Sequence, residues 1–124
     1  MVRQAKDDAR EERIKREILV DAIGPQEQAL AWYVYLKGTL RFPFLARCVA
    51  RRAISPIEPS AELEILGIAP AEECRHEMFV LTRWRPHALA IPLMQVEGVH
   101  ADEATYQAIE DWRYWVNRGP TLSA

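Results

Sequence analysis

Cysteine, histidine and glycine are scarce in this chain of 124 residues, which contains two, three and five of them, respectively. Two cysteines, Cys48 and Cys74, are too few for a disulfide framework. The polar N-terminus does not resemble an export signal, so we expect reduced thiols in a cytoplasmic protein. No apolar run approaches the roughly 20 residues of a membrane-spanning helix, and we therefore expect no membrane association. A composition of 49% hydrophobic and 27% charged residues is typical of one globular domain.

A strong excess of either charge is also missing, since the formal net charge is −2. The distribution is uneven, however, because the segment from Glu58 to Thr82 has six glutamates and a single Lys or Arg, namely Arg75. An acidic middle segment disfavours nucleic acid as the main partner and favours cations or basic protein surfaces. The six are Glu58, Glu62, Glu64, Glu72, Glu73 and Glu77.

Helical periodicity in the N-terminal part predicts a hairpin of two helices. Residues 1–12 have no apolar stripe, so we expect a disordered or frayed tail. A single domain over residues 13–119 follows it, and residues 120–124 form a second tail. Gly24 separates two apolar stripes, and Pro25 suits the first turn of the second helix. The stripes are Ile14, Ile18 and Ala22, then Ala29, Trp32, Tyr33, Leu36 and Leu40.

A Trp-rich helix is predicted at the C-terminal end of the domain. Asp102 is a good N-cap residue, Glu103 complements the positive helix end, and Gly119 fits the left-handed position after the last turn. The indoles of Trp112 and Trp115 each bring about 200 Å² to burial. We therefore expect this helix to dock on the rest of the domain.

Four short segments between the helices alternate apolar and polar residues, as strands with one buried face do. Pro92 in the fourth segment implies an edge strand or a bulge, because proline cannot donate to a sheet ladder. Four short strands at close spacing predict a small curled antiparallel sheet that resembles an SH3-like barrel. The predicted fold class is therefore α+β. The segments are 44–54, 62–68, 78–84 and 88–93.

Carboxylates are the residues that suggest a cation site. The chain has no D-x-D-x-D-G loop, which excludes an EF-hand. Glu72 and Glu73 follow Pro70 in a predicted loop, where their side chains and backbone carbonyls could converge on an ion. The alternative is a solvated acidic rim, and for Asp111, which lies among aromatic residues, a structural hydrogen bond. The candidate metal ligands are Glu72, Glu73, Glu77, Asp102 and Glu103.

Cysteine chemistry is disfavoured by the same sequence. Cys74 and His76, with Cys48, offer three zinc ligands, whereas a structural zinc site takes four at close spacing. As a nucleophile, Cys74 lacks a third partner for His76, and nearby glutamates raise the pKa of a thiol. We therefore expect buried free cysteines and no enzymatic activity.

Arginines recur along the first predicted strand, at Arg47, Arg51 and Arg52. Together with Trp84 they could form a nucleic-acid patch on a small barrel. They could equally keep an exposed strand face solvated and protect it from edge pairing. A third reading is a surface for a protein partner.

Short phrases distributed along the chain carry a resemblance to a known family. They are Arg13-Ile14, Glu17-Ile18, Val20-Asp21-Ala22, Trp32-Tyr33-x-Tyr35-Leu36, Phe42-Pro43-Phe44-x-Ala46-x-Cys48, Ser55-Pro56, Glu73-Cys74, Met78-x-Val80, Ile91-Pro92-Leu93 and Asp111-Trp112-x-Tyr114-Trp115. In this order and spacing they resemble the CcbP family of small cyanobacterial-type calcium-binding proteins. The resemblance implies a bacterial protein that binds Ca²⁺ through surface acidic groups and serves in Ca²⁺ buffering or signalling.

The chain departs from the family pattern after Leu36. Where members tend to carry acidic residues, this sequence reads Lys37-Gly38-Thr39. A lysine disfavours a cation that takes 6–8 oxygen ligands, so we predict calcium binding with weakened affinity. The alternative is a Ca²⁺-independent protein-interaction module on the same fold.

Overall fold

Three α-helices and a five-stranded sheet make up residues 6–118, the part of the chain that the computed structural model describes. The two predicted N-terminal helices, the antiparallel sheet and the C-terminal helix are confirmed, and the fold is α+β. The elements are α1 Asp8–Glu17, α2 Pro25–Thr39, β1 Phe44–Cys48, β2 Glu62–Ile68, β3 Phe79–Trp84, β4 His87–Pro92, β5 Val96–His100 and α3 Glu103–Arg118, with 3₁₀ turns at Ala71–Glu73 and Leu93–Gln95.

Helix α1 begins earlier than the sequence pattern predicts. Asp7 is its N-cap, and the carboxylate of Asp7 accepts a hydrogen bond from the backbone N–H of Arg10 at 3.0 Å. Residues 8–12, which were expected in a frayed tail, therefore form the first turns of α1. The expected tail at residues 120–124 and the Gly119 cap lie outside the described residues. No helix within residues 6–118 has the length and apolar character to cross a membrane.

The sheet is open, with strand order β4-β3-β2-β1-β5 and antiparallel neighbours throughout. Strands β4 and β5 are its two edges, so the sheet is not closed and the expected SH3-like barrel is not confirmed. Helix α3 packs against β5 and the 3₁₀ turn before it, and layers of helix and sheet share one core. Pro92 lies at the end of edge strand β4, as predicted.

Strand β5 is the element that the sequence pattern did not reveal, and β1 is shorter than the predicted 44–54. The chain leaves β1 after Cys48, and the N–H of Val49 bonds to the carbonyl of Gln95 at 2.6 Å. Gly98 lies within β5, where an added Cβ would be 2.8 Å from the Tyr106 ring. Glycine at this position allows α3 to lie close to the strand.

Alternation along β1 separates a buried face from an exposed face, as predicted. Phe44, Ala46 and Cys48 are buried, and Arg47 between them is exposed. The buried face belongs to one apolar core to which α2 and α3 contribute their aromatic stripes. In this core the rings of Trp32 and Trp112 meet edge to face with centroids 5.1 Å apart.

A buried carboxylate joins the three helices. Asp111 on α3 is fully buried, and its Oδ1 accepts hydrogen bonds from Arg10 at 2.9 Å and Arg13 at 2.6 Å. The hydroxyl of Tyr35 on α2 donates to Oδ2 at 3.5 Å. The structural role considered for Asp111 is thus confirmed. Since both guanidinium groups come from α1, this pair ties the N-terminal helix to the C-terminal one.

We predict that Asp111→Asn lowers the free energy of unfolding by about 2–4 kcal/mol, because it removes the paired carboxylate of the partly buried Arg13 and leaves Arg10 only a 3.9 Å pair with Asp7. Urea denaturation at pH 7 measures the change. Glu110→Gln is the matched control, since Glu110 is exposed and only forms a 3.6 Å pair with Arg113. Equal unfolding free energies of the two variants would contradict the structural role of Asp111.

The stability of the α1–α3 contact also depends on pH through Glu11. The Tyr114 hydroxyl donates to its carboxylate at 2.8 Å, and this bond, with the charge of Arg118, lowers the pKa of Glu11 below 4.5. A lowered folded-state pKa stabilises the protein above the unfolded-state pKa and stops doing so as the pH falls through the folded-state value.

We therefore expect the difference in unfolding free energy between the wild type and Glu11→Gln to be constant from pH 6 to 8 and to shrink below about pH 4.5. Urea titrations at several pH values measure it. Glu12→Gln, at an exposed 3.6 Å pair with Arg16, should differ from the wild type by less than about 0.5 kcal/mol throughout. If the difference in unfolding free energy between the wild type and Glu11→Gln grows in acid, the pKa of Glu11 is not lowered in the folded protein.

Candidate functional site

Glu72 and Glu73 lie on the 3₁₀ turn Ala71–Glu73, which connects β2 to β3. Pro70 starts the turn, and the N–H of Glu73 bonds to the Pro70 carbonyl at 2.9 Å. Both glutamate side chains are exposed. Within residues 6–118 neither carboxylate has an ion pair or a side-chain hydrogen bond. These two adjacent charges therefore remain available to a ligand from solvent.

Glu77 has a partner within the domain. Its two oxygens accept from the two terminal nitrogens of Arg52 at 2.6 and 3.0 Å, a bidentate pair. This hydrogen bond to Glu77 is the main cause of the raised pKa of Arg52. Glu77, a predicted metal ligand, and Arg52, a predicted protein-interaction residue, thus neutralise each other's charge.

Asp102 and Glu103 lie at the N-terminal end of α3, far along the chain from the other acids. Asp102 accepts from the N–H of Thr105 at 2.8 Å and pairs with Arg41 at 3.0 Å. Hydrogen bonds from Thr105, followed by the charge of Arg41, lower the pKa of Asp102. Glu103 is exposed and lines a surface hollow that also contains Arg10 and Arg13. A helix N-terminus already carries partial positive charge, so this end of α3 is a poor place for a cation.

The arginines of the predicted interaction surface are all paired with acids. Arg47 lies opposite Glu62 and Glu97 on the neighbouring strands, at 3.9 and 3.8 Å. Arg51 pairs with Glu58 at 2.6 Å. Together with the Arg52 pair, these contacts make the region around β1 an electrically balanced surface and not a basic patch.

Both thiols are buried and free. Burial raises the pKa of the Cys74 thiol above its ordinary value, and the charge of Glu73 acts in the same direction. A thiol that resists ionisation is a poor nucleophile and a poor zinc ligand. His76, two residues further on, is exposed.

A surface hollow of about 420 Å³ lies beside the 3₁₀ turn and was not predicted from the sequence. Its walls come from the first turns of α2, including Gln26 and Tyr33, and from Ala71 to His76. The Tyr33 hydroxyl donates to the Ala69 carbonyl at 2.9 Å, which holds α2 against this loop. Only the packing of two distant segments creates the hollow, so no local pattern could have indicated it.

The described residues contain no group of three or more His, Cys, Asp or Glu side chains placed to hold a metal ion. The acidic residues are instead spread over three places, with two of the five predicted ligands, Glu77 and Asp102, engaged by arginines. Glu72 and Glu73 are the candidate pair that an ion could approach without breaking an ion pair. The arrangement fits an exposed, partly hydrated cation and does not fit a closed cage.

Comparison with known proteins assigns the chain to a family. The sequence model of the CcbP family, described as "Calcium binding", matches residues 12–116. CcbP from Anabaena has 36% sequence identity and a TM-score of 0.81, with 96% of this chain and 98% of that chain covered. A calcium-binding protein in its calcium-binding form also has 36% identity, with a TM-score of 0.80 over 92% and 94% of the two chains. None of the curated sequences matches significantly. On these grounds the chain belongs to the CcbP family of calcium-binding proteins.

Proposed function

We propose that this protein binds Ca²⁺ weakly and without catalysis, and that Glu72 and Glu73 are the principal ligands. Family membership over residues 12–116 supports the choice of ion. The observation that carries the choice of site is the pair of adjacent exposed carboxylates on a short 3₁₀ turn, neither of which forms an ion pair within residues 6–118.

Low affinity follows from the number of anionic ligands at this turn. Ca²⁺ takes 6–8 oxygens, and two glutamates supply at most four. Backbone carbonyls of the loop and water must supply the others. An ion held mostly by neutral ligands on an exposed turn keeps much of its hydration, so we expect a dissociation constant of about 0.1–1 mM. Such a site suits buffering or signalling at high Ca²⁺ concentrations.

The other predicted ligands are less favourable because an ion would have to displace a guanidinium group from them. At Glu77 it would break a bidentate pair with Arg52, and at Asp102 it would approach Arg41 and the positive end of α3. Glu103 shares its surface hollow with arginines. We therefore place these three outside the principal site.

Calorimetry tests the proposed site. Chelator-stripped protein should bind Ca²⁺ with a dissociation constant below about 1 mM. Glu72→Gln combined with Glu73→Gln should raise that constant about tenfold, because the variant loses both anionic ligands. The midpoint of thermal unfolding should not change, since both side chains are exposed.

The matched control is Glu12→Gln combined with Glu17→Gln, which removes the same charge from exposed positions on α1. Screening limits the effect of distant charges, so this control should change the constant by about twofold at most. Absence of a Ca²⁺ response in the wild type would refute the proposed function. If both double variants raise the dissociation constant equally, Glu72 and Glu73 are not the ligands. Ca²⁺ would then be attracted only by the overall negative charge of the protein.

The Ca²⁺-independent interaction module is not favoured, because Arg47, Arg51 and Arg52 are paired within the domain. Their pairs differ in exposure, which gives a test. The side chains of Arg51 and Glu58 are 69% and 66% exposed, while those of Arg52 and Glu77 are 31% and 22% exposed.

We expect Arg52→Ala to lower the free energy of unfolding by about 1–2 kcal/mol, because it leaves a half-buried carboxylate unpaired. Arg51→Ala should cost less than about 0.5 kcal/mol, as exposed pairs do. Chemical denaturation of the two variants in parallel measures both. If Arg52→Ala is no more destabilising than Arg51→Ala, Arg52 has no structural role. That result would favour a role of these arginines in binding a protein partner.

A further inference from the structure

Large aliphatic side chains are exposed together on one side of the helical hairpin. Leu30 and Val34, one turn apart on α2, are 59% and 62% exposed, and Val20 before α2 is 61% exposed. Single exposed apolar residues are ordinary on a protein surface, but a contiguous set marks a site of interaction. We call Leu30 and Val34, with the exposed charged residues Glu27 and Lys37 in line with them, the α2 face.

The α2 face combines a ridge with a groove. Val20, Leu30 and Val34 border a groove of about 420 Å³ between the end of α1 and the outer side of α2. Leu30 also borders the hollow on the other flank of α2, beside the 3₁₀ turn. The side chain of Leu30 is thus a ridge between two depressions. Helices pack when the ridge of one enters a groove of the other, and this face offers both features to an identical face.

The charges on the α2 face are arranged symmetrically about its apolar centre. Glu27, Leu30, Val34 and Lys37 follow each other at spacings of three and four residues, which places them on one stripe. Leu30 and Val34 are equally far along the helix from Trp32, and so are Glu27 and Lys37. When two such helices lie antiparallel, each Leu30 meets a Val34 and each Glu27 meets a Lys37.

We propose that the α2 face is a self-complementary interface, through which two copies of this chain pack with their α2 helices antiparallel about a two-fold axis. A two-fold interface requires that each residue meet its complement on an identical surface, and the opposite charges at the two ends of the stripe satisfy this requirement.

Sedimentation equilibrium of the whole chain in the presence of a chelator tests the proposal separately from calcium binding. Between about 1 µM and 1 mM protein we expect a reversible monomer–dimer equilibrium. Val34→Glu should raise the dimer dissociation constant at least about tenfold, because it places two like charges at the apolar centre.

A charge exchange tests the antiparallel pairing itself. Glu27→Lys and Lys37→Glu should each raise the dissociation constant about tenfold, since each places like charges opposite one another. The double variant should return it to within about threefold of the wild type, although its charges now oppose the helix dipole. Arg85→Glu is the control for net charge. Arg85 is exposed at the turn between β3 and β4, so this substitution should not change the dissociation constant.

Circular dichroism of each variant checks that the monomer remains folded. A wild type that stays monomeric at about 1 mM overturns the proposal. A dimer that is insensitive to Val34→Glu, or a double charge exchange that restores nothing, also overturns it. Flotation with anionic lipid vesicles, with binding lost in Val34→Glu and no dimer in solution, would assign the α2 face to a membrane surface and overturn it as well.

Discussion

The buried carboxylate of Asp111 is the interaction on which the arrangement of the helices depends. It accepts hydrogen bonds from Arg10 and Arg13 of α1, and the hydroxyl of Tyr35 of α2 approaches its second oxygen. A buried carboxylate is costly unless it is paired and hydrogen-bonded. Helix α1 therefore cannot leave α3 without exposing or orphaning this group. The most polar helix, α1, is held in place by this charge pairing together with burial of Ile14, whereas α2 and α3 meet through apolar packing.

That apolar packing centres on Trp32, which contacts Trp112 edge to face and lies 6.1 Å from Trp115. These residues join α2 and α3 on the buried side of the sheet, and the close passage of Tyr106 over Gly98 brings α3 onto edge strand β5. On the exposed side of β1, Arg47 lies between two glutamates of neighbouring strands.

Pairing of charges within the fold also decides which acidic residues remain for a ligand. Arg52 engages Glu77, and Arg41 engages Asp102. Glu72 and Glu73 lie on the exposed 3₁₀ turn between β2 and β3, and within residues 6–118 neither forms an ion pair. The cation site proposed on this turn and the second-copy interface proposed on α2 use different side chains, although Leu30 borders the hollow beside the turn.

Periodic patterns in the sequence were sufficient for the three helices, for the alternating strands and for the α+β class, because such patterns depend on neighbours only a few residues apart. The edge position of the strand that contains Pro92 could also be predicted locally, because proline has no backbone N–H to donate in any structure. The family resemblance also came from phrases that are local in the chain. The order and openness of the sheet, strand β5, and the pairing of Glu77 with Arg52 and of Asp102 with Arg41 were decided only by the tertiary structure. Each of these joins groups that are distant in sequence, and an ion pair at hydrogen-bond distance exists only after strands and helices have packed.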